Sequence, residues 1–357
     1  MNKPKLSKLG LYINDLINWR YRGDFLDSEK IGELIKQYGY KVDELLPKFL
    51  EKSNDHIWNR FLNEPIWYHM NTGGKRVRPA LCLLTTELLG EDIKKSMNFA
   101  LAVEIMHNYL LLHDDVMDGD KFRRGEPTVW VKYGIPNAVN CGDYMIAKAY
   151  EIILKSDLPV ETIKKLEEAF TLTLLRTGEG QALDVNLRAN ENFTEEMYME
   201  LAKGKTGHYL VCPIVGGAII AGASQKVIDE LWKLGGNIGA AFQIRDDIID
   251  LTEGKGRPPG CDIREGKPGI LYAHALKNAN PEEKKKLVEI MKKPRDETTD
   301  EDIQWIRELY EKYGTIEYAQ KKAEDLKKEA MKILDELPFS KKDTVKKIAE
   351  YLILRKT

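Results

Sequence analysis

The sequence LLLHDDVMDGD at residues 110–120 continues a predominantly apolar run that begins at Leu101. Asp114 and Asp118 within it are four residues apart, and on a helix this spacing places both carboxylates on one face. Two negative charges this close repel each other, and a divalent cation commonly compensates them. The segment therefore predicts a buried helix that ends in a pair of metal-binding carboxylates.

The same spacing returns in FQIRDDIID at residues 242–250, where Asp246 and Asp250 are four residues apart. One such pattern is weak evidence, because acidic clusters often only face solvent. Two of them, each leading out of an apolar run, favour a shared metal site. Carboxylates without His or Cys in the motif select hard cations, and Mg²⁺ completes its shell with water and phosphate oxygens. Since the chain has no EF-hand loop for Ca²⁺, we predict Mg²⁺ that bridges to a diphosphate.

Basic residues occur beside glycines or acidic motifs at four places. They are Lys75, Arg76 and Arg78 in GGKRVRP (73–79), Arg123 and Arg124 in RRGEPT (123–128), Lys205 in KGKTGH (203–208), and Lys255, Arg257, Arg264 and Lys267 in the segment 254–269. Arginine and lysine both bind phosphate oxygens, and a long, glycine-rich, basic loop is typical of a lid that closes over anions. Together they predict a phosphate site beside the metal.

Helical periodicity recurs along most of the chain, for example at residues 161–183 and 318–337, and convincing alternation of period two is absent. This pattern predicts an all-α fold. We expect one large helical domain at residues 37–357, preceded by a helical extension at residues 1–36.

Composition excludes several other classes of protein. Lys plus Arg is 55 and Asp plus Glu is 57, so the net charge of −2 argues against non-specific nucleic-acid binding. The four cysteines form no CxxC pair, which excludes a zinc ribbon and indicates free thiols in the cytoplasm. Residues 206–223 lack charged side chains but contain Pro213 and four glycines. We expect a buried helix there and no membrane span.

Two further glycine motifs do not match nucleotide-binding patterns. The sequence GKT at residues 204–206 resembles the end of a Walker A loop, but Met199 stands where the upstream glycine is required. The sequence GGNIG at residues 235–239 lacks the GxGxxG spacing. We therefore expect this second motif to permit close packing of helices.

In chain order, GGKRVRP, DDVMD, RRGEPT, GKT, FQIRDDIID and GRPPGCDIREGK resemble the motifs of the trans-isoprenyl diphosphate synthases, also called polyprenyl synthetases. The resemblance covers roughly residues 37–357 and is greatest to archaeal short-chain enzymes. It implies an all-α bundle around a deep central cavity, acting as a homodimer. It also implies Mg²⁺-dependent, head-to-tail condensation of isopentenyl diphosphate with dimethylallyl, geranyl or farnesyl diphosphate.

The resemblance implies a role for each motif residue. Two or three Mg²⁺ ions would be held by Asp114, Asp118, Asp246 and Asp250. The allylic diphosphate would be bound by Arg123, Lys205, Thr206, Gln243, Arg257 and Lys267, and isopentenyl diphosphate by Lys75, Arg78, His107 and Arg124. The direct catalytic set would be Asp114, Asp118, Asp246, Lys205 and Arg123. Many members have lysine at the position of Arg257, so either Arg257 or Lys255 would contact the phosphate.

Product length is expected to depend on the helix that carries the first aspartate motif. Tyr109 lies five residues before Asp114, about 7.5 Å along a helix axis, and would form a partial floor with Leu110 and Met106. In related enzymes an aromatic residue at this position resembles a geranylgeranyl-type arrangement. Farnesyl diphosphate is the alternative product, and plain core packing is the alternative role of Tyr109.

Three other functions stay open for the whole chain. A class I terpene cyclase would ionise a finished prenyl diphosphate, but it needs neither GGKRVRP nor a second DDxxD motif. A non-catalytic partner subunit would be expected to lose acidic motifs that are intact here. A scaffold bundle would leave both carboxylate clusters unexplained.

Overall fold

The structure is a computed structural model that describes residues 28–50, 57–252 and 259–354. Its elements are α1 (Ser28–Asp43), α2 (Leu46–Phe49), α3 (Ile57–Asn71), α4 (Val77–Leu88), a 3₁₀ turn (Ile93–Ser96), α5 (Met97–Asp118), β1 (Phe122–Arg123), β2 (Glu126–Pro127), α6 (Val129–Tyr133), α7 (Ile135–Leu154), α8 (Val160–Asn186), α9 (Glu195–Ala202), a π-helical turn (Lys203–His208), α10 (Tyr209–Ile220), α11 (Gln225–Thr252), α12 (Cys261–Arg264), α13 (Ile270–Asn278), α14 (Pro281–Met291), α15 (Asp300–Lys312), α16 (Thr315–Glu336) and α17 (Lys342–Leu354). Helices dominate this part of the chain, so the predicted all-α class is confirmed.

Helix α5 lies at the centre of one half of the core. Its residues from Phe99 to Met106 are buried on every side, as expected of a helix that is apolar around most of its circumference. It packs along α7 and also contacts α4 and α10. Within the stretch from Phe99 to Met106, Glu104 is the polar residue, and it is paired with Arg76. The burial of α5 leaves its aspartate motif at the C-terminal end of the helix.

Helix α11 lies in the other half of the core. It packs along α16 and contacts α10, α17 and the π-helical turn. A Cβ atom on Gly239 would lie 2.3 Å from the Cα of Gly207, so only glycine permits this approach of α11 to the turn. The close packing predicted for residues 235–239 is confirmed. Asp246 and Asp250 lie in the last two turns of α11.

Phe122 and most of the RRGEPT segment form a small hairpin, in which Phe122 pairs with Pro127. Arg124 and Gly125 at its tip have φ angles of 55° and 84°, the positive values that type I′ hairpin turns require. The sequence pattern indicated only a turn. The hairpin geometry separates Arg123 from Arg124, so the two arginines contact different partners.

Helix α1 runs across the predicted boundary between residues 36 and 37. Ile31, Leu34 and Ile35 are buried in the main core, and Asp43 pairs with Arg76. Residues 1–27 of the predicted extension lie outside the described residues, and the division into an extension and a domain stays a prediction.

The four cysteines are buried and free. Among the helices described here, none combines the length and the apolar composition that crossing a bilayer requires.

Candidate active site

The two aspartate-bearing helices end at one cavity of about 420 Å³. The described residues around it include eight aspartates and three basic side chains. These are Asp114, Asp118, Asp120, Asp184, Asp246, Asp247, Asp250 and Asp262, with Arg123, Lys205 and Lys267. Since the C-terminus of a helix carries partial negative charge, aspartates at these two ends are costly without nearby cations.

Asp114 lies near two of these cations without a close contact to either. Its carboxylate oxygens are 3.9 Å from Lys205 Nζ and 4.0 Å from an Arg123 Nη atom. Gln181 donates a hydrogen bond of 3.3 Å to the same carboxylate. Burial raises the pKa of Asp114 above its ordinary value, against the opposing effect of Lys205. Asp114 is therefore a carboxylate whose charge is incompletely compensated by the protein.

Asp118 has two close cationic partners. Lys267 Nζ lies 3.1 Å from Oδ2, and Arg188 Nη2 lies 2.5 Å from Oδ1. Although burial opposes them, Lys267 and Arg188 lower the pKa of Asp118 below its usual value. Asp118 is thus ionised and bound on both oxygens.

Arg123 is held by the aspartate between the two motif positions. Its Nε and Nη2 atoms lie 2.6 Å and 2.5 Å from Oδ1 of Asp115. Asp115 is buried, and burial raises its pKa to about 6 despite the arginine. This pair orients the guanidinium of Arg123 toward the cavity that it lines.

In the second motif, neutral donors contact two of the aspartates. Asp250 Oδ2 accepts a hydrogen bond of 3.0 Å from the backbone N–H of Asp262. Asp247 accepts hydrogen bonds from the Tyr198 hydroxyl, at 2.9 Å, and from the Gln243 amide, at 3.1 Å. The bonds from Asp262 and Tyr198 connect the end of α11 to α12 and to α9.

The π-helical turn brings Lys205 and Thr206 to the site. A π turn inserts an extra residue into a helical turn and is frequent at functional sites. Lys205 Nζ lies 2.7 Å from Asp184 Oδ2 on α8. Thr206 donates a hydrogen bond of 3.1 Å to Gln243 on α11. Thus Thr206 is connected to the cavity through Gln243, whereas Lys205 lines it directly.

A second, basic cluster lies in the direction of the N-terminal end of α5. His107 is hydrogen-bonded to the hydroxyl of Tyr209, and the guanidinium of Arg78 lies 3.9 Å from the centre of the Tyr209 ring. Arg124 donates a hydrogen bond to the carbonyl of Gly73. Burial, followed by the charges of Arg78 and Arg124, lowers the pKa of His107 well below its ordinary value. At neutral pH His107 is therefore an uncharged group beside two guanidinium ions.

The glycine loop that precedes Arg78 is anchored by Arg76, the residue before α4. Arg76 is buried and has a φ angle of 49°, which is rare for a residue with a side chain. Its Nε atom lies 2.7 Å from Asp43 on α1, and its Nη1 atom lies 2.9 Å from Glu104 on α5. Lys75 is exposed in the same loop. Arg76 therefore serves the loop's structure, whereas the Arg78 guanidinium packs on the Tyr209 ring.

Comparison with known proteins agrees with this arrangement. The polyprenyl synthetase family matches residues 59–310, which is more than half of the chain. The chain belongs to the polyprenyl synthetase family. The family and the enzyme class expected from the motifs, a trans-prenyltransferase, are confirmed.

Several relatives resemble this family member over most of its length. A short chain isoprenyl diphosphate synthase of Methanothermobacter thermautotrophicus is 33% identical over 92% of this chain and 96% of its own. A geranylgeranyl diphosphate synthase of Saccharolobus solfataricus is 38% identical over 82% of this chain and 88% of its own. The crystal structure of a geranylgeranyl pyrophosphate synthetase from Pyrococcus horikoshii superposes with a TM-score of 0.83, at 34% identity, over 92% of this chain and 99% of that one.

The proposed chain-length residues of this polyprenyl synthetase lie apart from the 420 Å³ cavity. Of the described residues on α5, Leu111, Asp114 and Asp118 line that cavity. Tyr109 is half-buried and packs its ring against His113, with the ring centres 4.7 Å apart. Leu110 is half-buried and Met106 is fully buried. Their role in setting product length stays a prediction.

Several site residues were not among the sequence candidates. They are Asp115, Asp120, Asp184, Arg188, Tyr198, Asp247 and Asp262. The sequence GEGQALD at residues 178–184 could have indicated Asp184 as a site residue, because it places polar residues among small ones at the end of a predicted helix. No sequence pattern indicated Arg188 as a site residue, since its position depends on the turn after α8. Arg257 and Lys255 lie outside the described residues.

The residues around the cavity suit a hard divalent cation. Among the described residues, every acidic side chain that lines it is an aspartate, and carboxylate oxygens are the ligands that Mg²⁺ prefers. Within the described ranges, no three His, Cys, Asp or Glu side chains already converge as a metal site. The basic side chains of the cavity instead contact the aspartates directly, as with Lys267 and Asp118.

Proposed function

We propose that the protein condenses isopentenyl diphosphate with dimethylallyl, geranyl and farnesyl diphosphates in an Mg²⁺-dependent, head-to-tail reaction. The observation that carries this proposal is the meeting of two aspartate helices and three basic side chains at one cavity. The names of the relatives support the same reaction class.

The acidic cavity is the proposed site of the allylic diphosphate. Asp114, Asp118 and Asp246, together with Asp250, would hold two or three Mg²⁺ ions. When bound, Mg²⁺ neutralises charge on the diphosphate as its bond to carbon breaks. Lys205, Lys267 and Arg123 already line this cavity and would bind the phosphate oxygens. Thr206 would orient Gln243 through their hydrogen bond.

The basic cluster is the proposed site of isopentenyl diphosphate. Positive charge there comes from Lys75, Arg78 and Arg124. The aspartates proposed as metal ligands line the acidic cavity instead. Neutral His107 can donate one hydrogen bond to a phosphate oxygen without adding charge. The two diphosphates would then bind at different turns of α5, with their hydrocarbon chains between the sites.

The reaction balances without a redox partner. The allylic C–O bond breaks, and its electron pair leaves with the diphosphate. The double bond of isopentenyl diphosphate attacks the allylic cation, which forms the new C–C bond. A proton is then lost, and the released diphosphate accepts it. The protein's part is to bind both diphosphates and to keep water from the cation.

We propose geranylgeranyl diphosphate as the main product, with farnesyl diphosphate as the alternative. Replacing Tyr109 with Ala is expected to lengthen the product, because it removes the ring that would stop the growing chain. Dephosphorylated products would be sized by mass spectrometry. Tyr318→Ala removes a tyrosine that stacks on His274 and serves as the matched control with the wild-type product. An unchanged product from Tyr109→Ala would assign that side chain to core packing.

We also propose a cytoplasmic homodimer. The free cysteines suit a reducing compartment. Large apolar side chains are exposed on two helices that pack together, α3 and α7. Ile57, Trp58 and Phe61 on α3 are 77%, 44% and 55% exposed, and Ile135 on α7 is 50% exposed. An apolar patch of this kind is typical of a protein interface.

The deciding experiment incubates purified protein with isopentenyl diphosphate, Mg²⁺ and each allylic primer separately, with an EDTA control. EDTA-sensitive elongation that ends at geranylgeraniol after dephosphorylation is the expected result. If no primer leads to consumption of isopentenyl diphosphate, the proposal fails. Assays for cyclised products and for stimulation of a partner synthase would then test the cyclase and the non-catalytic subunit.

A further inference from the structure

Arg188 contacts the same carboxylate of the first aspartate motif as Lys267, but on its other oxygen. It lies just after α8, and its Nη2 atom is 2.5 Å from Asp118 Oδ1, while Lys267 takes Oδ2. Asp184 and Glu265 also act electrostatically on this guanidinium. Arg188 is not among the residues that line the cavity, whereas Lys267 is. The carboxylate of Asp118 is thus bound by one cation that lines the cavity and by one that does not.

The turn that carries Arg188 is fixed by contacts on both sides. Ala189 is buried and has a φ angle of 52°, and its N–H donates a hydrogen bond of 3.0 Å to the carbonyl of Gly266. The hydroxyl of Tyr272 donates a hydrogen bond of 3.0 Å to the carbonyl of Asn190. A left-handed conformation at alanine costs free energy and persists only where the surroundings impose it. The position of Arg188 is therefore determined by the fold.

The two cations differ in their freedom to leave Asp118. Lys267 Nζ also lies 2.7 Å from Glu265, and its flexible side chain faces the cavity, so a phosphate can attract it away. Arg188 is anchored by its turn and has a buried Nε without a hydrogen-bond partner among the described residues. When a ligand binds, Arg188 would stay on Asp118 Oδ1.

We propose that Arg188 is a built-in counter-ion of Asp118, which weakens the binding of bare Mg²⁺ so that the metal enters together with diphosphate. This inference rests on the proposed function, because it takes Asp118 as a metal ligand. A dication on Asp118 Oδ2 is repelled by the guanidinium on Oδ1, and screening is weak at a partly buried site. A diphosphate offsets that repulsion, since its negative charge attracts both cations.

The experiment measures Mn²⁺ and Mg²⁺ binding to the full-length protein by calorimetry, first without and then with inorganic pyrophosphate. Arg188→Gln removes the charge and keeps a hydrogen-bond donor. It is expected to bind the bare metal about tenfold more tightly than the wild type. Arg188→Lys is expected to restore weak binding. With pyrophosphate present, the difference between the variants is expected to shrink.

Arg295→Gln is the matched control, because Arg295 lies 3.3 Å from Glu265 in the same region and does not contact Asp118. It removes the same charge and is expected to leave metal affinity within about twofold of the wild type. Arg188→Met supplies a second neutral variant if Arg188→Gln does not fold, as judged by circular dichroism.

Other results of the metal-binding measurement would overturn either the counter-ion role or the metal assignment. Weaker metal binding in Arg188→Gln would make the arginine a residue that orients Asp118, and unchanged binding would make the pair purely structural. Either result overturns the counter-ion role. If Asp118→Asn binds metal like the wild type, the metal assignment of the proposed function fails instead. If Asp118→Asn loses metal while Arg188→Gln is unchanged, only the counter-ion proposal fails.

Discussion

Helix α5 presents opposite electrostatic environments at two of its turns. At Asp114 and Asp118 it faces a cavity that eight described aspartates line. At His107, seven residues earlier in the sequence and about 10 Å along the axis, it faces Arg78 and Arg124. Burial raises the pKa of Asp114 in the first environment and lowers that of His107 in the second. In both cases burial favours the uncharged form.

This difference indicates how one protein can bind two diphosphates differently. An excess of carboxylates suits a diphosphate that arrives with divalent metal, because the metal supplies the missing positive charge. An excess of guanidinium groups suits a diphosphate that arrives alone. The comparison thus predicts that changes in the acidic cavity alter metal dependence and turnover. Changes in the basic cluster should instead alter the affinity for isopentenyl diphosphate.

The largest effect is expected from neutralising the acidic cavity. Asp114→Asn and Asp246→Asn should each lower kcat about a thousandfold, since a lost metal ligand removes several kcal/mol of charge stabilisation. The KM for isopentenyl diphosphate should change little. Steady-state assays with labelled isopentenyl diphosphate measure both, and circular dichroism checks the fold. Asp157→Asn, at an exposed position between α7 and α8, is the charge-matched control. Wild-type turnover in either variant would remove these aspartates from the metal site.

A smaller effect, on KM and not on metal dependence, is expected from a change in the basic cluster. Arg78→Met should raise the KM for isopentenyl diphosphate about 10- to 100-fold, because a charge-assisted hydrogen bond to phosphate contributes about 1.5–3 kcal/mol. The Mg²⁺ concentration for half-maximal rate should stay constant. Arg176→Met, at an exposed position on α8, is the control for loss of one arginine. A change confined to metal dependence would break the proposed separation of the two sites.

The smallest effect is expected from pH. Because burial raises the pKa of Asp114, protons compete with metal for this carboxylate more strongly than for an exposed aspartate. The protonated form gains as pH falls, so half-saturating Mg²⁺ should increase from pH 7.5 to pH 5.5. Rate measurements over a series of Mg²⁺ concentrations at each pH test this. A metal requirement that falls with decreasing pH would contradict it.

Much of the site could be predicted because its chemistry is local in sequence. Spacing of four residues places Asp114 beside Asp118 on any helix, and Asp246 beside Asp250 in the same way. The apolar runs before them predicted buried helices, and α5 and α11 confirm this. GGNIG predicted close packing, because a glycine lets two backbones approach whatever the rest of the fold.

Other parts of the site depend on contacts between distant segments. Arg188 reaches Asp118 across 70 residues of sequence, through a turn that Gly266 helps to hold. Arg76, in a motif expected to bind phosphate, is instead buried between Asp43 and Glu104. Neither arrangement has a periodic or compositional signal, because both depend on how the helices pack.

The sequence alone therefore determined the all-α class and the two carboxylate pairs, since each follows from local spacing and residue chemistry, while the reaction class followed from the resemblance of its motifs to a known family. Only the tertiary structure decided which charges face one another. Burial and long-range packing placed Lys267 and Arg188 on Asp118 and made His107 neutral beside two arginines. Electrostatic energy depends on distance in space and on exclusion of water, and spacing along the chain specifies neither.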